Sequence, residues 1–292
     1  MTLKALTLKS LPPQALTLPG ALLGEGPCWD ADTATLWWVD ILGKRLHAWN
    51  GEARHWDLPL MASLAAPRGD GTLTLVTEAG IAAFDPADGS VSDFLSIEHG
   101  RPGNRSNDSK VSPGGHLLAS SMGRAAEPGV GGLYAVSPNG EIRTLLEGLT
   151  IPNGLAWSLD GRWIYFADSA RRQVYRAAWD EAAGTIGTLE PYFKPESPAA
   201  PDGAATDSAG TYWVALWGGH RVVGVNPEGR IIAEIALPVA QPTACAFGGS
   251  DGKTLFITSA ADGDSSPLAG ALFALQMAVP GAPVPPFIWN PP

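Results

Sequence analysis

Four short stretches carry oxygen- and nitrogen-bearing side chains that could act together: Glu25 in LGEGPCW, Arg105 to Asp108 in NRSNDSK, Asn153 in IPNGLAW and Asp202 in APDGAAT. In all but the second, the acid or amide is followed at once by glycine and then by an apolar stretch. Glycine lets the backbone bend and lets a neighbouring segment approach closely. Two carboxylates and an amide oxygen at one mouth form a hard, oxygen-only donor set suited to Ca2+, Mg2+ or Mn2+ and less discriminating toward Zn2+ or Fe2+. A divalent cation would also offset the repulsion between Glu25 and Asp202. A plainer alternative stands beside this one, because Asn-Gly and Asp-Gly are favoured turn dipeptides in any β protein. Recurrence at matching positions of a repeat favours a shared site.

That repeat sets the fold. Six segments align around a turn followed by an apolar strand, beginning at Gly26, Leu64, Asn107, Asn153, Pro201 and Thr243. Each opens with a short strand, turns at Asp-Gly, Gly-Gly or a similar pair, and continues through an apolar strand such as Leu36 to Val39, Leu73 to Val76, Trp163 to Phe166 or Leu255 to Thr258. Alternating third strands follow, as in LYAVSP and RVVGVNP. The period of roughly 40 to 50 residues is that of a propeller blade. The expectation is an all-β chain, a single six-bladed β-propeller over residues 1–292 with a central metal site. The segment ALTLKS, within residues 1–20, is expected to supply a strap strand that completes the last blade. Ring closure covers the large faces of every blade and leaves only short outer edges. The competing architecture, two β-sandwich domains, does not account for the register of the repeat.

In such a ring the innermost strands converge on a channel, so polar groups at equivalent positions of different blades meet despite large separations in sequence. Composition agrees with many short strands: 35 glycines and 26 prolines lie scattered between apolar stretches in a chain of 292 residues that is 45% hydrophobic. The formal net charge of −10, with no run of Lys or Arg, argues against nucleic acid and anionic membranes as partners. No apolar run is long enough to cross a bilayer, and the first residues lack a signal-peptide pattern, so a cytoplasmic location and a monomer or weak dimer are expected. Cys28 and Cys245 read as buried thiols. His47, His55, His99, His116 and His220 show no metal-ligand spacing, and no serine sits in a Gly-x-Ser-x-Gly elbow. Asp40 in WWVDI and Asp168 in YFADS close their strands at equivalent places and read as turn caps.

Taken in order, GEGPCW…LWWVDI, RSNDSK, IPNGLAWSLDG…IYFADS, PDGAATDSAGTYWVALWGG and PTACAFGGSDGKTLFITSA resemble the successive signatures of the gluconolactonase/regucalcin (senescence marker protein) family, from residue 22 to the end. The resemblance implies a six-bladed propeller holding one divalent cation (Ca2+, Mn2+, Mg2+, Zn2+ or Fe2+), with ligands at Glu25, Asn153 and Asp202. It also implies a metal-dependent lactonase that opens a sugar lactone to the aldonic acid, with Arg105 and Asn107 on the substrate and Asp202 as general base. The alternatives are a calcium-binding regulatory propeller and an esterase or phosphotriesterase of the same architecture. This chain departs from the family pattern where Gly-Thr-Met commonly stands: Ser120 to Met122 read Ser-Ser-Met, and GRAAEPG replaces the acidic run that follows. Arg124 or Glu127 is thereby placed at the substrate rim.

Overall fold

The structure is a computed structural model that describes residues 12–17, 20–98, 101–196 and 198–289. Its strands form six antiparallel sheets. The first blade comprises strands Gly24–Asp30, Thr35–Asp40, Arg45–Trp49 and Ala53–Asp57, paired in that order. Four more blades follow the same up-and-down path, with innermost strands Ala62–Pro67, Asn104–Val111, Pro152–Trp157 and Ala200–Thr206. The fourth carries an extra strand, since Thr185–Ile186 and Glu190–Phe193 both pair with Gln173–Asp180. In the last blade Pro242–Gly248, Thr254–Ser259 and Phe273–Gln276 are joined on the outside by Gln14–Ala15 from the start of the chain. The ALTLKS segment itself lies outside the described residues.

Burial explains the order of strands. Innermost and second strands are buried on both faces, whereas an outermost strand such as Ile231–Ala236 alternates. Each innermost strand packs against those of both adjacent blades, the first against the second and the sixth, so the ring closes. The apolar core is correspondingly six clusters, one between each pair of neighbouring blades. Cys28 and Cys245 are free and buried in two of them, and burial pushes both thiols up to about 12.

Every innermost strand breaks register in the same stretch, between Glu25 and Cys28, Ala62 and Leu64, Ser106 and Ser109, Asn153 and Ala156, Pro201 and Ala204, and Pro242 and Cys245. A bulge of this kind re-aims a side chain and bends its strand. At Gly26 the backbone takes φ of 55°, and a Cβ there would overlap the carbonyl oxygen of Ser63 on the next blade. Glycine at this point therefore lets two innermost strands touch. Gly26→Ala is expected to cost about 2 to 4 kcal/mol through backbone strain and clash. Urea denaturation checks this; a midpoint equal to that of the parent would contradict it.

Candidate metal-binding and catalytic site

Each sequence-selected residue lies at or within the register break of its innermost strand. Glu25, Asn107, Asn153 and Asp202 come from the first, third, fourth and fifth blades, and all four are buried. A chain of hydrogen bonds links three blades. Arg105 Nη1 donates to Asn107 Oδ1 at 2.8 Å, and Asn107 Nδ2 donates to Asn153 Oδ1 at 3.0 Å and to the Pro152 carbonyl at 2.8 Å. Asn153 Nδ2 donates to Ser169 Oγ at 2.8 Å, whose hydroxyl donates at 2.6 Å to the carbonyl of Pro201, the neighbour of Asp202. The oxygen and nitrogen ends of both amides are thus assigned. Asn153 Oδ1 accepts one hydrogen bond, which leaves its second lone pair for a further partner.

Electrostatics tie the remaining groups together. Burial, with the charge of Asp108 added, pushes Glu25 up from 4.5 to about 8, against the opposing pull of the Gly26 N–H, Arg105 and Lys110. Asp202 is raised well above the usual carboxylate range by burial first, then by the charges of Glu25 and Asp108. Asp108 is also raised by burial, although Lys110 and the Leu155 N–H, 2.8 Å from Oδ2, favour its charged form. Arg105 is lowered by burial and held up by Glu25 and Asp202. Lys110 donates to the Ala204 carbonyl. Buried Glu25 and Asp202, with the half-buried Asp108, therefore outnumber the two cationic side chains Arg105 and Lys110, and the excess of acid is what a divalent cation would neutralise. The donor set, two acid side chains and an amide with an open lone pair, fits a hard cation held by Glu25, Asn153 and Asp202. Among the described residues no three His, Cys, Asp or Glu side chains gather as a metal-ligand cluster, and in the candidate centre the third donor is an amide.

The signature of the SMP-30/Gluconolactonase/LRE-like region matches residues 23–261, more than half of the chain. The chain belongs to this family. A pentonolactonase from Haloferax volcanii is 34% identical over 278 residues, covering 89% of this chain and 93% of the relative. A 6-deoxy-6-sulfogluconolactonase from Pseudomonas putida is 35% identical over 279 residues, covering 91% and 95%. The crystal structure of a calcium-binding protein, regucalcin, from Agrobacterium tumefaciens matches with a TM-score of 0.89 at 31% identity, covering 96% of this chain and 98% of that one.

Within this family scaffold the rim residues separate. Glu127 is exposed and turned back on its own loop, where its carboxylate accepts from the Ala125 N–H at 3.1 Å. Arg124 instead reaches across to the second blade, donating to Glu78, and its charge is felt by Arg105. Asp40 and Asp168 cap the loops that feed two innermost strands: Asp40 accepts from the N–H groups of Leu22 and Leu23 at 2.9 and 3.0 Å, and Asp168 from Ile151 at 3.1 Å. They hold the approaches to Glu25 and Asn153. Ser169, which orients Asn153, carried no signal in the sequence beyond following Asp168. No described helix is long and apolar enough to cross a membrane.

The raised acids give a pH dependence with a definite sign. In the cation-free protein the fold favours protonated Glu25, so its stabilising contribution is complete below the unfolded value of 4.5 and is lost as pH rises toward about 8. Asp202 acts in the same direction. The melting temperature measured with a chelator should therefore fall across that window, and the gain on adding Mn2+ or Ca2+ should be larger at its upper end. A cation-induced gain that is largest at the acidic end would contradict the burial of these acids at a shared centre.

Proposed function

We propose that this protein hydrolyses a sugar lactone to its aldonic acid, using one divalent cation held by Glu25, Asn153 and Asp202. The observation that carries the reading is the hydrogen-bonded run Arg105–Asn107–Asn153–Ser169 beside two buried acids, in a chain belonging to a family whose members include proteins named as lactonases. When bound, the cation supplies Lewis-acid polarisation of an ester carbonyl.

The chain's own residues do the rest. Asp202, as carboxylate, takes a proton from water while the water oxygen bonds to the lactone carbonyl carbon. The ring C–O bond then breaks, and the proton passes to the departing oxygen to give the free hydroxyl and the acid. Arg105 donates from a half-buried guanidinium whose Nη1 is already fixed on Asn107 and the Ser106 carbonyl at 2.8 Å, so its direction is set before substrate arrives. Hydroxyl and ring oxygens of a sugar are suitable acceptors for it. A lactone is an activated ester, so a base and a polarised carbonyl suffice without a covalent nucleophile.

A pH-indicator assay on glucono- and xylonolactone tests this directly, with acid release expected in the presence of a divalent cation. Retained cation binding with no turnover of any lactone would favour a calcium-binding regulatory propeller, a reading supported by the likeness to the calcium-binding Agrobacterium protein. Faster turnover of aryl esters than of lactones would favour an esterase.

A further inference from the structure

The innermost strands open on the residues of the candidate centre and close on a second cavity, of about 680 Å³, at the other end of the channel. Its wall shows the repeat of the fold. The residue four places after the last pair before each register break is Trp29 in the first blade, Lys110 in the third, Trp157 in the fourth, Ala205 in the fifth and Ala246 in the sixth, and all five line the cavity. Four of these equivalent positions are apolar and one is a lysine. Residues 281–286 complete the wall. They are fixed to the fifth and sixth blades by the Ala282 N–H on the Thr206 carbonyl at 2.8 Å and the Gly281 N–H on the Gly252 carbonyl at 2.9 Å, and to the second by the Phe287 N–H on the Pro67 carbonyl at 2.9 Å. We infer that this cavity is a second binding site, for a small carboxylate with an apolar body whose head group pairs with Lys110. It stands independently of the lactonase reading.

Three observations carry it. The first is the wall itself, since sites for small molecules are clefts of roughly 300 to 1,000 Å³ lined by apolar and aromatic side chains, with a few polar groups that fix orientation. Covering Trp29 and Trp157 with an apolar body supplies the driving force. The second is Lys110, half-buried, whose ammonium donates across the channel to the Ala204 carbonyl and, among the described residues, forms no ion pair. An ammonium has three donors, and a charge drawn out of water is normally paired. Glu25 and Asp108 feel its charge, but neither lines the cavity. The third is the state of the other titratable groups in the wall, Cys28, Asp30 and Asp32. Burial pushes the Cys28 thiol up to about 12, which leaves it neutral. Asp30 is engaged within its own turn, accepting from the Asp32 N–H at 3.0 Å and from Thr33 Oγ1 at 2.7 Å, and Asp32 is exposed. Water and salt therefore screen the acids, whereas the ammonium acts from an apolar wall where a charge is felt more strongly.

Calorimetric titration of the full-length protein with phenylbutyrate, phenylbutanol and phenylbutylamine tests this, because the three probes share one apolar body and differ in charge. The expected result is a single site that binds the carboxylate about tenfold or more tightly than the alcohol or the amine, the margin of a charge-assisted hydrogen bond. Lys110→Met should bring the carboxylate to the alcohol's affinity and leave the alcohol's unchanged. The same preference is expected after chelation, since Glu25, Asn153 and Asp202 do not line the cavity. A carboxylate bound only when divalent cation is present would belong to the candidate centre and would overturn the inference. Equal affinities for the three probes, a preference for the amine, or no binding of the carboxylate at about 10 mM would do the same. If the variant does not fold, the three-probe comparison on the parent protein decides.

Discussion

Asp202→Asn is expected to lower kcat for lactone hydrolysis by about a thousandfold, within the range that general-base catalysis contributes. The substitution keeps the side chain's volume and one oxygen, but removes the group proposed to accept the proton of water. It also removes a charge that burial and the neighbouring Glu25 and Asp108 oppose. The cation-free variant is therefore expected to melt no lower than the parent, and loss of activity cannot be laid to unfolding. Activity and stability move independently, as they do where a site holds groups the fold would prefer neutral. Steady-state kinetics alongside thermal denaturation read both. A folded, cation-loaded variant that matched the parent in kcat would show that another group takes the proton.

Exhaustive chelation should have an effect at least as large, reducing turnover to background, with recovery on adding back Mn2+, Ca2+ or Zn2+. Without a cation, Glu25 and Asp202 lean toward their protonated forms, which neither bind a hard ion nor accept a proton. With one, both are held as carboxylates and the fold gains by linkage, about 2.7 kcal/mol at a concentration one hundred times Kd. The chelated protein should thus lose activity and melting temperature together, and both should return with the same cation titration. Full activity after chelation verified by metal analysis would contradict the reading.

How much of this was legible in the sequence depended on whether a feature is local. Turn dipeptides before apolar strands gave away the six blades, because hairpins are specified by adjacent residues. Glu25, Asn153 and Asp202 stood out for the same reason, each being an acid or amide directly before a glycine. What the sequence did not display was why those glycines are there. The bulge in every innermost strand and the contact of Gly26 with the second blade are long-range features, which no local pattern encodes. The role of Ser169 was hidden likewise, since it depends on partners 16 and 32 residues away. At the rim, composition alone could not choose between Arg124 and Glu127. Loop geometry turns Glu127 onto its own backbone and sends Arg124 across to Glu78. The capping role of Asp40 and Asp168 was readable because both sit at the end of the second strand of a blade, facing the loop into the first.

The central claim is that side chains from three blades share one cation. Crystals of the protein soaked in Mn2+ and measured for anomalous scattering test it most directly. One strong peak is expected in the channel mouth, with oxygens of Glu25, Asn153 and Asp202 at about 2.0 to 2.6 Å, the range for hard cations. A fully soaked crystal with no peak there, or with the ion bound by other residues, would contradict it.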